Sequence, residues 1–316
     1  MALIRLGISR CLLGERVRYD GQHKHDRFLT DTLGRYVEYL GVCPEVECGL
    51  PVPRESMRLV GSVDSPRLMT RATKRDLTDQ MLKWVAARLA SIEKENLCGF
   101  IFKSKSPSSG MERVKVYNRN GMPVGITSGL FSREFMQKFP LLPVEDEGRL
   151  HDLEIRENFL DRIFTLWRYR EAVSGARSSG VFIKFHAEHK LLLMSHSEKH
   201  CRQMGILLAQ APGRSSLNEL SKKYEVLLLD GLKCMATVKK HVNVLQHMLG
   251  YFRELITADE KKEMLDIISQ YAKSDLPLIV PLTLFRHYVR KYGVKYLADQ
   301  YYLNPHPAEL ILKNHA

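Results

Sequence analysis

The sequence predicts an α/β domain followed by an all-α domain, and three observations lead to this prediction. Short apolar runs alternate with helical stretches over residues 1–150, which is typical of a three-layer α/β fold. From residue 181 onward the apolar spacing is helical almost throughout. A chain of 316 residues is long enough for about two domains. We therefore expect domains at 1–150 and 181–316, joined by a connecting helix and linker at 151–180.

The elements of the first domain follow from local patterns. Residues 3–8 form an apolar run that predicts the first strand, and residues 28–40 predict a helix after a turn-rich segment. An amphipathic helix follows, capped at Thr73 in a capping-box pattern or at Thr78. Residues 99–102 predict a short buried strand.

The sequence patterns of the second half predict helices and few other elements. Residues 153–172 predict one long amphipathic helix, and the small residues of 173–180 predict a linker. Ser216 and Thr257 are each followed by Glu three positions later, which predicts two capping boxes. Pro281 can begin a further helix.

The net charge of +12 is distributed evenly, with 24 basic and 18 acidic residues in each half of the chain. Such a surplus favours a polyanionic partner, RNA or DNA more than a membrane, although it is also compatible with a merely solubilising surface. No apolar run approaches the ~20 residues that span a bilayer. The ordinary composition excludes a disordered or fibrous chain. We expect a soluble cytoplasmic protein with no membrane partner.

Three segments of the first domain, 9–21, 43–54 and 103–110, are rich in Gly, Pro or Ser, and each follows a strand-like run. We expect them to be loops at one sheet edge, where converging loops form a pocket. Cys11 and Cys43 each open one of these loops. They can be ligands of a soft metal or an iron–sulfur cluster, or simply small buried apolar side chains.

Ten of the twelve histidines lie after residue 150. His186, His189, His196 and His200 have helical spacings that can bind a metal, but no cysteine or carboxylate pattern accompanies them. Core packing or RNA contact is the favoured interpretation.

The three loop segments closely resemble the signature of the TudS-like thiouracil desulfidases. The matching residues are S-R-C-L-L-G with R-Y-D-G, C-P-E-V with G-L-P-V-P-R, and K-S-K-S-P-S-S-G, in that order over about residues 3–150. The helical half, with F-H-A-E-H-K from Phe185 and His196-Ser197, resembles YbgA-like proteins. The fusion is similar to the RudS-like enzymes that remove sulfur from 4-thiouridine in transfer RNA (tRNA).

The resemblance implies a [4Fe-4S] cluster with three protein ligands and one open iron, which takes the sulfur of the substrate. Cys11 and Cys43 match two of the ligand positions. The third position holds Ser109 where the family has cysteine, and a hydroxyl is a poor ligand for iron in such a cluster. Cys48 or Cys98 can be considered as a replacement ligand.

The resemblance also implies roles for other loop residues. Glu45 matches a general acid/base, with helix capping or pairing with Arg54 as the structural alternatives. Ser106, or otherwise Ser104, is expected to hydrogen-bond the pyrimidine. The remaining motif positions predict substrate contacts by Arg18, Tyr19, Asp20, Lys24, Arg54 and Lys103.

The helical domain is expected to dock tRNA. Lys239, Lys240, Arg286 and Arg290 lie on predicted helices and can contact phosphates, or can simply be solvated helix faces. Three functions remain open at this point. They are desulfuration of 4-thiouridine in tRNA, desulfuration of free thiouracil or thionucleotides, and non-catalytic RNA binding with a decayed cluster site.

Overall fold

The computed structural model describes residues 3–210, 217–307 and 310. Its chain divides into two compact units, Met1–Phe159 and Leu160–Ala316. The division falls inside one long helix, somewhat later than position 150. The described part of the first unit is α/β and that of the second is all-α, which confirms the predicted fold class.

The described strands of the first unit are β1 (Ile4–Ser9), β2 (Val37–Val42), β3 (Met57–Gly61), β4 (Pro66–Thr70), β5 (Gly99–Phe102), β6 (Val114–Tyr117), β7 (Pro123–Thr127) and β8 (Val144–Asp146). Its α-helices are α1 (Pro44–Glu47), α2 (Thr78–Ile92) and α3 (Leu130–Lys138). Short 3-10 or π turns cover Arg10–Leu13, Phe28–Thr32, Leu33–Arg35, Glu93–Glu95 and Arg149–His151.

The first sheet is parallel and has the strand order β2-β1-β5-β8. Ile4, Leu6 and Ile8 of β1 are all buried, as expected for a central parallel strand. The strand β2 pairs with one edge of β1, and β5, which comes later in the chain, pairs with its other edge. In open α/β sheets this reversal of strand order creates a crevice at the carboxyl ends of the strands, where ligands bind.

A second sheet, in the order β4-β3-β6-β7, was not part of the sequence prediction. Its β3 and β6 run parallel, with Leu59 opposite Val116 and both fully buried. Its buried face belongs to the same apolar core as a cluster of packed phenylalanine rings with centroids 4.4–6.0 Å apart. The rings are those of Phe100, Phe102, Phe131 and Phe135.

Two local predictions in this unit were wrong. The helix expected over 28–40 ends at Arg35, and the rest becomes β2 because Val37 to Val42 pair with β1 along its whole length. Thr73 does not cap a helix, since its side chain is held in a turn by Glu55. The helix begins at Thr78 instead.

The described helices of the second unit are α4 (Leu153–Val173, which begins in the first unit), α5 (Gly180–Ala209), α6 (Leu217–Lys233), α7 (Val238–Gly250), α8 (Ala258–Ala272), α9 (Ile279–Tyr292) and α10 (Lys295–Ala298). Non-helical backbone at Ser197 breaks α5. The capping box at Thr257 is confirmed, and the helix predicted at Pro281 begins slightly earlier. Ser216 lies outside the described residues.

Apolar helix faces build two cores in this unit. Tyr169, Phe185 and Tyr224 lie in one core, and Phe252 and Phe285 lie in the other. Amphipathic spacing of these side chains accounts for the helices, since most helical stability comes from burying such a face. No helix in the described part of the chain is long and apolar enough to cross a membrane.

Candidate active site

The three loop segments converge on one cavity of about 400 Å³ at the carboxyl ends of β1, β2 and β5. This is the crevice that the reversal of strand order predicts. The lining includes Cys11, Arg18, Tyr19, Lys24, Cys43, Glu45, Arg54, Met57, Arg71, Lys103, Ser104, Lys105, Ser106, Pro107 and Ser109.

The two cysteines of the cavity are buried. Cys11 is 8% exposed in the turn after β1, and Cys43 is 6% exposed at the start of α1. Burial raises the pKa of Cys11 to about 11. Burial, reinforced by the charge of Glu45, raises the pKa of Cys43 to about 12. Both groups are therefore neutral thiols near pH 7 unless a bound cation takes up the thiolate charge.

Glu45 is the central carboxylate of the cavity. Its Oε1 accepts a 2.5 Å hydrogen bond from the hydroxyl of Ser108, and its Oε2 lies 3.5 Å from Sγ of Cys43. Oε2 also lies 3.9 Å from a guanidinium nitrogen of Arg54. Glu45 therefore has the Arg54 partner that was the structural alternative, and it also lines the cavity.

A serine-rich loop faces Glu45. The hydroxyls of Ser106 and Ser108 lie 3.0 Å apart, and the Ser109 amide donates to the Ser106 hydroxyl over 3.2 Å. The backbone of Gly129 packs closely against this loop, since a Cβ atom at Gly129 would lie 2.5 Å from the Ser108 carbonyl. Ser108 was not among the predicted site residues, although it lies inside the third motif.

Lys103 and Ser104 are fixed by an acidic residue that the sequence analysis missed. The Glu147 carboxylate forms a short ion pair with Lys103 Nζ and accepts 2.7 Å hydrogen bonds from the amide and hydroxyl of Ser104. Burial alone would raise the pKa of Glu147, but the Lys103 and Ser104 donors outweigh it and leave that pKa lowered. Glu147 directly follows β8, so its place at the end of a strand was the available signal.

The predicted substrate-binding residues divide into two groups. Arg18, Tyr19 and Lys24 line the cavity together with Arg54 and Lys103. Asp20 lies on the exposed side of its turn, where its carboxylate accepts from Arg18 and from the Gln22 amide, and it does not line the cavity.

The cavity lining matches the ligand set of an iron–sulfur cluster only in part. Cys11 and Cys43 line one cavity and supply two thiols, which is the donor type that clusters use. Ser109 is 3% exposed on the same cavity and presents a hydroxyl, so the third position does not fit. Neither Cys48 nor Cys98 lines the cavity. Among the described residues, no three His, Cys, Asp or Glu side chains are grouped as a metal site.

Of the four histidines with metal-binding spacing, His189 and His196 are buried, and His186 and His200 are half-buried. His189 Nδ1 donates to the Phe185 carbonyl over 2.8 Å, and its Nε2 accepts from Arg168 over 3.0 Å. His186 contacts the Tyr224 hydroxyl, and His196 contacts the Cys234 carbonyl.

The four residues predicted to bind RNA differ in their surroundings. Lys240 Nζ donates to the carbonyls of His196 and Met235, and Arg286 donates to the Leu303 carbonyl. Lys239 and Arg290 have exposed side chains. RNA contact by this group stays a prediction.

Comparison with known families adds to this geometry. Residues 6–147 match the sequence model of the 2-thiouracil desulfurase family, and residues 190–307 match DUF1722, a family of proteins of unknown function. The chain joins a 2-thiouracil desulfurase family domain to a DUF1722 domain. The whole cavity lies in this desulfurase family domain.

Two known proteins are each similar to about half of this chain. The uncharacterized protein YbgA of Escherichia coli (strain K12) is 27% identical over 158 residues, which cover 50% of this chain and 94% of YbgA. A solved structure described as a [4Fe-4S]-dependent thiouracil desulfidase, TudS, is 28% identical with a TM-score of 0.40. That alignment covers 49% of this chain and 97% of TudS.

Proposed function

We propose that the desulfurase family domain replaces sulfur by oxygen in a thiolated uracil. The observation that carries this proposal is the convergence of Cys11, Cys43, Glu45 and Ser109 on one cavity of a domain with this family membership. The overall exchange is a hydrolysis. Water supplies the oxygen, the sulfur leaves as hydrogen sulfide, and no electron is transferred.

The residues of the chain supply the proton transfers and the orientation of the ring. Glu45 can take a proton from water, and its hydrogen bond from Ser108 connects it to Ser106 on the cavity wall. Ser106, or otherwise Ser104, hydrogen-bonds the pyrimidine in this proposal, and both residues line the cavity. Lys103, fixed by Glu147, brings a positive charge toward negative charge that develops on the ring.

An iron–sulfur centre would be held by Cys11 and Cys43, and Ser109 leaves its third position without a thiolate. When bound, iron makes sulfide a tolerable leaving group. The raised thiol pKa values of the two cysteines agree with a site that stays protonated until it is loaded.

The finer proposal is that the substrate is 4-thiouridine in tRNA. The net charge of +12 supports a polyanionic substrate. A stacked base must be extruded into the cavity, which costs a few kcal/mol that phosphate contacts can offset.

One observation favours a second function. Ser109 weakens the cluster site and is compatible with non-catalytic binding of thiolated RNA.

The test compares the chain with its Ser109→Cys variant after anaerobic cluster reconstitution. Iron and acid-labile sulfide are measured, followed by turnover of thiouracil, 4-thiouridine and thiolated tRNA. We expect the cysteine form to hold about four irons and to release sulfide fastest from tRNA. Cys98→Ser, in the same background, is the matched control and should keep the iron. Absence of iron from both the parent chain and its Ser109→Cys variant contradicts the cluster proposal, and equal rates on nucleoside and tRNA contradict the tRNA proposal.

A further inference from the structure

A second cleft adjoins the active-site cavity. It has a volume of about 330 Å³ and shares Met57, Arg71, Lys105 and Pro107 with the cavity lining. Because four residues line both, the two spaces are neighbours on one face of the desulfurase family domain. We name it the basic cleft, after the side chains that dominate it: Arg58, Arg71, Lys105, Arg113, Lys115 and Tyr117.

Strand register places several of these side chains together. Leu59 of β3 lies opposite Val116 of β6, and both point into the core. Side chains alternate along a strand, so Arg58 and Lys115 point to the opposite face of the second sheet, where they are neighbours. The Arg58 guanidinium lies 5.3 Å from the ring centre of Tyr117, on the same face.

The charge of the basic cleft is not balanced within the described residues. Its lining contains no carboxylate. Arg58, Arg71, Lys105 and Lys115 make no ion pair within 4.0 Å of any described residue. Arg113 alone pairs, with Glu112 at 3.6 Å, and its side chain is 79% exposed. Like charges side by side on a sheet are destabilising, and such a group is stabilised by a bound anion.

We propose that the basic cleft binds phosphodiester groups of the RNA strand whose thiolated base enters the cavity. This inference rests on the proposed function and adds a binding site on the desulfurase family domain itself. Arginine binds phosphate through two parallel hydrogen bonds and lysine binds it as a point charge. Five cations spread along a cleft exceed what one nucleotide phosphate needs, and they match a strand that continues beyond the cavity.

The experiment measures binding of an unmodified tRNA transcript as a function of salt concentration. The cleft variant is Arg113→Glu with Lys115→Glu, and the matched control is Lys83→Glu with Lys94→Glu, which makes the same charge change on exposed residues away from the cleft. We expect about tenfold weaker binding for the cleft variant, and a slope of log K against log salt that is smaller by about 2. The control should keep the slope of the parent chain.

Three outcomes overturn the proposal. The first is equal weakening of tRNA binding by the cleft and control variants, and the second is an unchanged salt slope in the cleft variant. The third is loss of 4-thiouridine monophosphate binding with tRNA binding intact, which assigns the cleft to a single nucleotide phosphate. The milder Arg113→Gln with Lys115→Gln should show the same trend, so a folding defect of the charge reversal cannot imitate the result. Because the probe is unmodified and needs no turnover, failure of desulfuration alone leaves this test valid.

Discussion

The hydroxyl of Ser108 donates a 2.5 Å hydrogen bond to Oε1 of Glu45; both side chains are buried, and Glu45 lines the cavity. The two residues are far apart in the sequence, since Glu45 lies in α1 and Ser108 lies in the loop after β5. Their contact joins the helix that follows β2 to the loop that follows β5. Glu45 is thereby held with one oxygen on a neutral donor and the other near Arg54.

Ser108→Ala removes this donor, and we expect a lower kcat with little change in KM. A hydrogen bond to a charged group contributes about 1.5–3 kcal/mol, which corresponds to roughly 10- to 100-fold in rate. Sulfide release is measured under saturating substrate in the chain form that holds the cluster. Ser128→Ala is the matched control, because its hydroxyl donates to the Met111 carbonyl outside the cavity lining. Equal rates for both variants would remove Ser108 from the mechanism.

The position of the site was predictable because it depends on strand ends. Cys43 directly follows β2 and Lys103 directly follows β5, and Cys11 lies two residues after β1. Parallel strands bring these ends to one edge of the sheet, so a βαβ pattern is sufficient to group the three loops. The family resemblance then supplied residue roles that spacing alone could not give.

The rest of the site depends on contacts that local patterns do not contain. Glu147 lies in an acidic stretch, so composition does not single out the carboxylate that binds Lys103, and its place after β8 was the available signal. Residues 37–40 continue a helical pattern, but pairing with β1 determines their conformation, because strand preference depends on the partner strand. The alternation of Arg58 and Lys115 with buried neighbours was a usable signal for the second sheet.

Glu147→Gln is expected to destabilise the first unit by about 2 kcal/mol at pH 7, because it leaves Lys103 half-buried without its carboxylate. The pKa of Glu147 is lowered from its ordinary 4.5 in the folded chain. Its contribution to stability is therefore complete above pH 4.5 and is lost as the pH falls through the folded-state pKa. The difference between parent and variant should be constant near neutrality and vanish in acid.

Urea unfolding, monitored by Trp84 fluorescence in a Trp167→Phe background, checks this prediction. The substitution is needed because the chain has two tryptophans, Trp84 and Trp167. Glu112→Gln is the control, because its ion pair with Arg149 is more exposed and such pairs contribute 0 to about 1 kcal/mol. A parent–variant difference that persists unchanged at pH 3 would contradict the assignment to the Glu147 charge.

His189 should make the helical unit sensitive to acid. Burial, together with the charge of Arg168, lowers the pKa of His189 well below its ordinary 6.5. The folded chain keeps this ring neutral, while the unfolded chain binds a proton below about pH 6.5. The free energy of unfolding therefore falls by up to about 1.4 kcal/mol per pH unit below that pH, until the folded-state pKa is reached.

His189→Gln keeps an oxygen acceptor for Arg168 and removes the titration. We expect the variant to be less stable at pH 8, since it loses stacking against Phe185 and Tyr301, whose ring centres lie 3.9 and 4.3 Å away. Its stability should nevertheless depend less steeply on pH between 6.5 and 5. Urea unfolding is followed by Trp167 fluorescence in a Trp84→Phe background. Parallel pH curves for parent and variant would assign the acid sensitivity to other groups.

Gly129→Ala tests how the serine loop is held. The backbone of Gly129 is extended (φ −65°, ψ 160°), so alanine can adopt it, but its Cβ atom would lie 2.5 Å from the Ser108 carbonyl and 2.9 Å from the Ser109 amide nitrogen. Overpacking of this kind forces backbone shifts and costs about 1–3 kcal/mol, and we expect the shift to fall on the serine loop. We expect faster amide hydrogen exchange at Gly110, whose N–H donates 2.8 Å to the Ser106 carbonyl.

The matched control is Gly250→Ala at the end of α7, where a Cβ meets nothing within 4 Å. Exchange in the 106–112 peptide should be unchanged there and accelerated in Gly129→Ala. The same displacement should lower kcat in proportion to the loss of the Ser108–Glu45 hydrogen bond, so Ser108→Ala should add little in the Gly129→Ala background. Additive effects of the two substitutions would mean that Gly129 acts on the site by a route other than Ser108.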